Sequence, residues 1–350
     1  MKYALVDLAN NFFRCRHIAS RSRDPSEKVG MALHLIFTGI NSMVNKFGID
    51  HVVFCLEGRS WRKDFYKPYK ANRVVDETAL TQAERDEEQL FWDTYADLTT
   101  HLRERTNCSV LRAPNGEADD LIGRWIALHP QDQHVVISSD GDFYQLVTDK
   151  VSLYNTLHGV YITTQSIVDD RGRKLAFTVD NNSKIKLGKP DPHFTPAPDW
   201  IEYSLFLKCM RGDKGDNVFS AYPGVRTVGS KNKVGLLEAY QDRQRQGFNW
   251  NNLMLQRWID HNDVEHVVRD VYERNRILID LTCQPPEIKD QIDGSIRDSL
   301  RVDTVGQVGV HFMRFCGKHQ LVKLGEQANY YSAWLNRGYN GHLKEKPNED

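Results

Sequence analysis

The chain has 350 residues, 40% hydrophobic and 27% charged, with a formal net charge of −1: an ordinary globular composition with room for one large domain or two. No apolar run is long enough to span a bilayer, and MKYALVDLAN lacks both a long apolar leader and a small-residue cleavage site, so no membrane partner and a cytoplasmic location are expected. The six cysteines include no C-x-x-C pair, which argues against a zinc ribbon or a disulfide framework and for reduced thiols.

Taken in chain order, the first 150 residues alternate short β-rich runs with helical patterns. YALVD (3–7), VVFCL (52–56), SVLR (109–112) and VVISS (135–139) read as strands. Leu33, Ile36, Ile40, Met43, Val44 and Phe47 repeat with helical period after the first strand; Phe91, Tyr95, Leu98 and Leu102 do so after the second. This alternation predicts βαβ units, hence an α/β fold with a mostly parallel sheet flanked by helices. The connection from Glu57 to Ser109 is unusually long, as functional excursions are. Residues 151–163 predict a hairpin turning near His158 and Gly159, and proline-rich GKPDPHFTPAPDW marks a boundary at about 188–200. Beyond it Tyr203, Phe206, Leu207 and Met210 line one face of a helix that ends near Gly212. The expected division is a core over 1–187, a helical unit over 188–340 and a disordered tail over 341–350.

Acidic residues gather at five places that read as strand ends or helix starts. Asp7 closes the first strand and Glu57 follows the second; Glu117, Asp119 and Asp120 sit in GEADDLIG, Asp140 and Asp142 in SSDGDF, and Asp213 and Asp216 in RGDKGDN. Each alone fits a turn or a helix cap. Together, at the carboxyl edge of a parallel sheet, they would repel unless divalent cations neutralised them. Helical spacing puts Glu117 and Asp120 on one face, extended spacing points Asp140 and Asp142 the same way, and Asp213 and Asp216 have helical spacing at the end of an apolar helix. With no His or Cys among them, the acids favour hard Mg²⁺ or Mn²⁺ over zinc.

Directly after Glu57, residues 59–73 carry Arg59, Arg62, Lys63, Lys67, Lys70 and Arg73 against the single Asp64, interleaved with Trp61, Phe65, Tyr66 and Tyr69. Charge runs are usually solvated faces, but this one stands beside the acids, where cations can neutralise phosphates and aromatics can stack on bases. In YPGVRTVGSKNKVGLLEAY (222–240), glycines precede an amphipathic helix, where backbone N–H groups and Lys231 or Lys233 could hold phosphates; a generic loop-to-helix junction reads the same way.

These segments together resemble the metal-dependent 5′-nuclease family, which includes flap endonucleases and the 5′-nuclease domains of bacterial DNA polymerases, and within it the bacteriophage T-even ribonuclease H type. VDLAN, WRKDFYKPYKANR, GEADD, ISSDGDFYQL, KCMRGDKGDNV and RILIDL carry the likeness, in family order, through about four-fifths of the chain. The resemblance implies a PIN-like core, an arch over about 58–105, and a helix–three-turn–helix clasp on duplex DNA over about 212–240. It assigns Asp7, Glu57, Glu117 and Asp119 to a first metal and Asp120, Asp140, Asp142, Asp213 and Asp216 to a second. It makes Lys70 and Arg73 contacts of the scissile phosphate and Tyr69 an aromatic on which a terminal base stacks. Arg59, Arg62, Lys63 and Lys67 would also meet nucleic acid. PGVRTVG, with Gly224, Val225, Val228 and Gly229, would be the clasp, where some relatives hold a monovalent cation such as K⁺. The chain departs from the family at Glu57, where relatives usually carry Asp, at an insertion around Ser220 to Pro223, and over 165–200, which matches no family segment.

The implied activity is two-metal hydrolysis of DNA and RNA–DNA hybrids at 5′ ends or flaps, in primer removal during phage replication. The expected protein is a monomer, with a single-stranded-DNA-binding protein or a sliding clamp among its conceivable partners. Two alternatives stand beside it: a PIN-type ribonuclease cutting single-stranded RNA, which needs no duplex grip, and a catalytically silent nucleic-acid-binding protein, in which crowded unused carboxylates would cost stability.

Overall fold

The computed structural model of the chain describes residues 1–19, 24–73, 81–181, 183–231, 233–300 and 303–344. β1 (Lys2–Asp7) leads to α1 (Leu8–Ala19), α2 (Pro25–Phe47), β2 (His51–Cys55), the one-turn α3 (Arg62–Phe65) and α4 (Gln82–Arg105). β3 (Ser109–Leu111), α5 (Ala118–Leu128) and β4 (Gln133–Ile137) follow. Local chemistry sets the ends. Asp24 caps α2 by accepting from the Ser26 N–H, Pro25 opens it, and Gly48 at φ 60° closes it. α4 starts at a reciprocal capping box between Thr81 and Glu84.

Five further strands, β5 (Val151–Asn155), β6 (Val160–Ile162), β7 (Ile167–Asp169), β8 (Lys174–Val179) and β9 (Ile185–Pro190), complete a nine-stranded sheet ordered β3-β2-β1-β4-β5-β6-β7-β8-β9. The pairs from β3 to β5 are parallel and those from β5 to β9 antiparallel. The four expected strands and the 151–163 hairpin are all present. The stretch 165–200, expected to match no family segment, supplies β7, β8 and β9, which lengthen the sheet. Chain order reverses at β1, whose neighbours are β2 and β4, so their carboxyl ends open a crevice of the kind that binds ligands.

The helical part comprises α6 (Trp200–Arg211), α7 (Leu236–Asp242), α8 (Phe248–Met254), the hairpin β10 (Arg257–Ile259) and β11 (Glu265–Val267), and α9 (Val268–Ile279), then α10 (Pro286–Ser299), α11 (Val308–Lys318), α12 (Val322–Glu326) and α13 (Ala328–Leu335). Packing splits it. Phe206, Leu207, Met210, Tyr240 and Val271 form a core of their own under α6–α9. α11–α13 return to the sheet, where Phe312 packs on Phe37 at 5.0 Å between ring centres, and Ile292 and Ile296 of α10 pack with Leu121 and Trp125 of α5. The segment expected as one unit over 188–340 therefore contributes to two cores. Of the expected disordered tail, residues 341–344 lie on the molecule, the Lys344 N–H donating to the Leu128 carbonyl at 2.8 Å; 345–350 fall outside the described residues. Residues 74–80 of the expected arch and Asn232 of the expected clasp are outside them too. No helix among the described residues is long and apolar enough to cross a membrane, and the six cysteines are free thiols.

Candidate metal and nucleic-acid site

β1 delivers Asp7 to the crevice, where its carboxylate accepts from the Asn10 N–H (3.1 Å) and the Ser138 hydroxyl (3.2 Å). Burial and the nearby Asp140 charge push Asp7 up to about 6. Glu57, two residues beyond β2, accepts from the Ala118 N–H at 3.2 Å and is pushed up to about 7 by desolvation and by the charges of Asp7 and Glu117. Gly58 lets these segments cross: a Cβ there would stand 2.0 Å from the Ala113 carbonyl oxygen. Its N–H donates to the Gly116 carbonyl at 3.0 Å, tying Glu57 to the start of α5.

Glu117 is the N-cap of α5 and takes donors from the basic segment: the Ser60 hydroxyl (2.7 Å), Arg62 (2.9 Å), the Tyr69 hydroxyl (3.1 Å) and Lys70. Against the effect of burial, Arg62 and Lys70 hold it down at about 2. Asp119 faces the crevice and is pushed up by burial and by its carboxylate neighbours. Asp140 caps the 3₁₀ turn Gly141–Leu146, accepting from the Asp142 N–H at 2.9 Å; desolvation and the Asp142 charge push it up to about 6. Opposite, Gly212 ends α6 at φ 75°, where a Cβ would stand 2.2 Å from the Val218 carbonyl oxygen, and the chain turns back in a bridge between Asp213 and Val218. That turn presents Asp213 and Asp216 to the crevice.

Eight of the predicted acids, with Lys63, Lys70 and Arg73, thus line one cavity of about 1320 Å³. Oxygens of Asp142, Asp213 and Asp216 come within 4.8 Å of one another, as do those of Glu117, Asp119 and Asp120. The donors are all carboxylate oxygens, several of them raised by desolvation and then by one another's charge, and ammonium groups already thread between them. Lys70 pairs with Glu117 and, at 3.8 Å, with Asp216. Lys208 pairs with Asp142 and, at 2.8 Å, with Asp213. A set that draws in cations this way suits hard divalent ions.

Several expectations are corrected by the geometry. Asp120 does not join Asp142, Asp213 and Asp216. It is fully buried and turned away, bonded to Arg62 (2.8 and 2.9 Å), Trp61 Nε1 (3.1 Å), Gln284 (3.1 Å) and the Glu117 N–H (3.1 Å). Because Glu117 is an extended cap, spacing within a helix does not govern the pair, and it is Asp119 that faces the cavity. Asp140 and Asp142 are directed by a 3₁₀ turn instead of an extended strand, and Asp213 and Asp216 lie in a turn beyond α6, not on the helix. Arg62, expected on nucleic acid, is 1% exposed and held by Glu117, Asp120 and the Leu278 carbonyl. Tyr69 is 3% exposed, its hydroxyl on Glu117 and Asp216, so its ring offers no stacking face.

The rest of the basic segment divides. Arg73 reaches Asp216, the Lys70 N–H donates to the Asp216 carbonyl at 2.8 Å, and Lys70 itself sits at φ 54°, which pins its side chain over the acids. Lys67 is exposed, and Arg59, also exposed, pairs with Asp64 at 2.5 Å. In the loop before α7, Gly224 takes φ 75° and the Val225 side chain is buried. The Gly229 N–H is held by Glu238 at 2.9 Å, while Val228, Lys231 and Lys233 face solvent. Lys208 was not singled out from sequence, where its helix was read only for its apolar face; its position five residues before Asp213 was the available signal.

Residues 2–172 match the family described as 5′-3′ exonuclease, N-terminal resolvase-like domain. The 5′-3′ exonuclease of Bacillus subtilis is 24% identical over 264 residues, 73% of this chain and 72% of its own length. Ribonuclease H of Enterobacteria phage T4 is 24% identical over 313 residues, 82% of this chain and 84% of its own. Among solved structures, the phage T5 flap endonuclease in a pseudo-enzyme-product complex with DNA and metal ions has a TM-score of 0.55 at 20% identity, covering 85% of this chain and 98% of that one. The likeness to that structure is one of fold. Residues 2–172, which carry the parallel strands and six of the eight cavity acids, thus form a domain of the 5′-3′ exonuclease N-terminal, resolvase-like family.

Proposed function

We propose that the chain is a metal-dependent, structure-selective 5′-nuclease that hydrolyses phosphodiesters of DNA at 5′ ends and flaps, and of RNA–DNA hybrids. The observation that carries this reading is the meeting of carboxylates from five separate segments in one cavity beside Lys70 and Arg73. Asp7, Glu57, Glu117 and Asp119 would hold one divalent ion and Asp140, Asp142, Asp213 and Asp216 a second, with Mg²⁺ the expected ion and Mn²⁺ able to replace it. Bound there, the ions supply Lewis-acid stabilisation of charge on the phosphodiester oxygens.

The chain's own groups do the rest. Lys70 and Arg73 exchange carboxylate partners for the phosphate as it enters and stabilise charge that develops on its oxygens. Water adds to phosphorus in line as the bond to the 3′ oxygen breaks, leaving a 5′-phosphate and a 3′-hydroxyl. The loop Gly224–Gly229, with Lys231 and Lys233 beyond it, is read as the grip on downstream duplex, with K⁺ as its expected ion. Primer removal in phage replication, in a cytoplasmic setting and with a single-stranded-DNA-binding protein or clamp as recruiter, is the biological role proposed.

The decisive experiment digests a 5′-labelled flap duplex, an RNA–DNA hybrid and unstructured RNA with the protein, each in Mg²⁺ and in EDTA. Mg²⁺-dependent short products from the flap and the hybrid support the proposal. Preferential cutting of unstructured RNA, or none of any substrate, overturns it.

A further inference from the structure

The hairpin of β8 and β9 lies beyond the residues that match the exonuclease family, yet its tip reaches the active cavity. Asp180 closes it: its backbone N–H donates to the Lys184 carbonyl at 2.8 Å, its carboxylate accepts the Lys184 N–H at 2.9 Å, and Ser183 turns the chain at φ 62°. Lys184 then lines both the main cavity and a side pocket of about 340 Å³ that opens next to Asp142 and runs to the Gly212–Gly215 turn. Among the described residues its ammonium makes no ion pair, whereas Lys208 nearby is taken by Asp142 and Asp213, and Lys186 by Asp180 at 3.5 Å.

The hairpin is also anchored. Ser204, Lys208 and Arg211 recur at helical spacing on one face of α6. Ser204 meets Ser183 at 3.5 Å between hydroxyls; Lys208 enters the carboxylates; Arg211 donates to the Asn181 carbonyl (3.1 Å), the Val225 carbonyl (2.6 Å) and the Thr227 hydroxyl (3.2 Å). Thr227 in turn donates to Asn181 Oδ1 at 2.8 Å. One guanidinium with no carboxylate partner among the described residues therefore joins the hairpin tip to the loop read above as the duplex grip.

We propose that this hairpin is a substrate-positioning element. Lys184 contacts a backbone phosphate of the cleaved strand at the side pocket, where Asp142 and Asp213 are already paired with Lys208, and Arg211 fixes the hairpin, and so that contact, relative to the Val225–Thr227 loop. The inference rests on the nuclease reading and adds a specificity-determining contact to it. A free ammonium beside a strongly acidic cavity, on an element that is itself tethered, is suited to hold a polyanion that the acids alone would repel.

The test is steady-state cleavage of a 5′-labelled flap in Mg²⁺ across a KCl series. Cleavage by the unaltered protein establishes the parent reading first. Lys184→Ala should then raise KM about tenfold at moderate salt, leave kcat within about twofold, and reduce the slope of log(kcat/KM) against log[KCl] by about one phosphate contact. Lys184→Arg should restore most of the loss. Arg211→Met should give a similar KM rise, and the double variant should be no worse than the poorer single one. Cleavage by the unaltered protein with unchanged KM and salt slope in Lys184→Ala overturns the phosphate contact and leaves the nuclease standing; fully additive effects overturn the tether.

Discussion

At the scale of single residues, the carboxylates do different work according to what faces them. Asp140 is raised by its surroundings and by Asp142, and its charge in turn raises Asp7. Asp140→Asn should therefore lower turnover on a flap substrate by about two orders of magnitude or more, through loss of an ion-holding group. It should also leave the metal-free protein no less stable, because a repulsion is relieved; single-turnover cleavage and thermal melting in EDTA check the two halves. Asp120 is the opposite case. Removing its guanidinium partner by Arg62→Met leaves a fully buried carboxylate uncompensated, which should cost about 3–5 kcal/mol in a denaturant titration. Adding Asp120→Asn to that variant should recover part of the loss, while a midpoint unaffected by Arg62→Met would contradict the buried pair. Sequence made eight of the nine acids legible because each follows a strand or opens a turn, and such positions converge at one sheet edge. Asp120 was not, because only the tertiary fold brings Arg62, Trp61 and Gln284 around it.

At the scale of elements, the site depends on how closely neighbouring segments cross. The Gly58 and Arg59 N–H groups donate to the Gly116 and Pro114 carbonyls at 3.0 Å each, which locks the end of β2 to the turn before α5. Gly58→Ala would force a methyl into the Ala113 and Gly116 carbonyl oxygens, and neither can give way without moving Glu57 or Glu117. We predict a melting temperature lower by several degrees together with a loss of Mg²⁺-dependent cleavage far larger than the loss of folded protein. Equal losses would mean that the crossing serves stability alone. The strands and long helices were readable because their apolar periods are strong. β7, β8 and β9 were not, since their burial is partial and alternation fades where a strand faces solvent, as in the exposed outer half of β9. The turns that aim Asp140, Asp142, Asp213 and Asp216 escaped simple spacing rules for a related reason: 3₁₀ and glycine-ended turns obey neither the helical nor the extended period.

At the scale of the whole molecule, two sets of titrating groups pull stability in opposite directions with pH. Asp7, Glu57 and Asp140, raised to about 6, 7 and 6, keep protons in the folded state that the unfolded chain has released, so stability falls as pH rises from about 4 to 7. For Asp7 alone this amounts to roughly 3 kcal/mol at pH 8 without metal. His51, His101 and His134, each lowered to about 4 by burial, do the reverse: the unfolded chain takes up protons first, so stability falls as pH drops from about 6.5 to 4. Those histidines lie in the hydrophobic interior away from the cavity residues, and no cation in the crevice can reach their balance. A divalent ion must displace the carboxylate protons to bind, which cancels the first slope and leaves the second. The gain in melting temperature from saturating Mg²⁺ should therefore be large at pH 8, shrink steadily and nearly vanish by about pH 5. Over the same range the Mg²⁺-loaded protein should lose stability more steeply on acidification than the metal-free one. A Mg²⁺ gain that stays constant from pH 8 to pH 5 would mean that the ion is held by groups other than these carboxylates, and the two-metal reading of the crevice would fall with it.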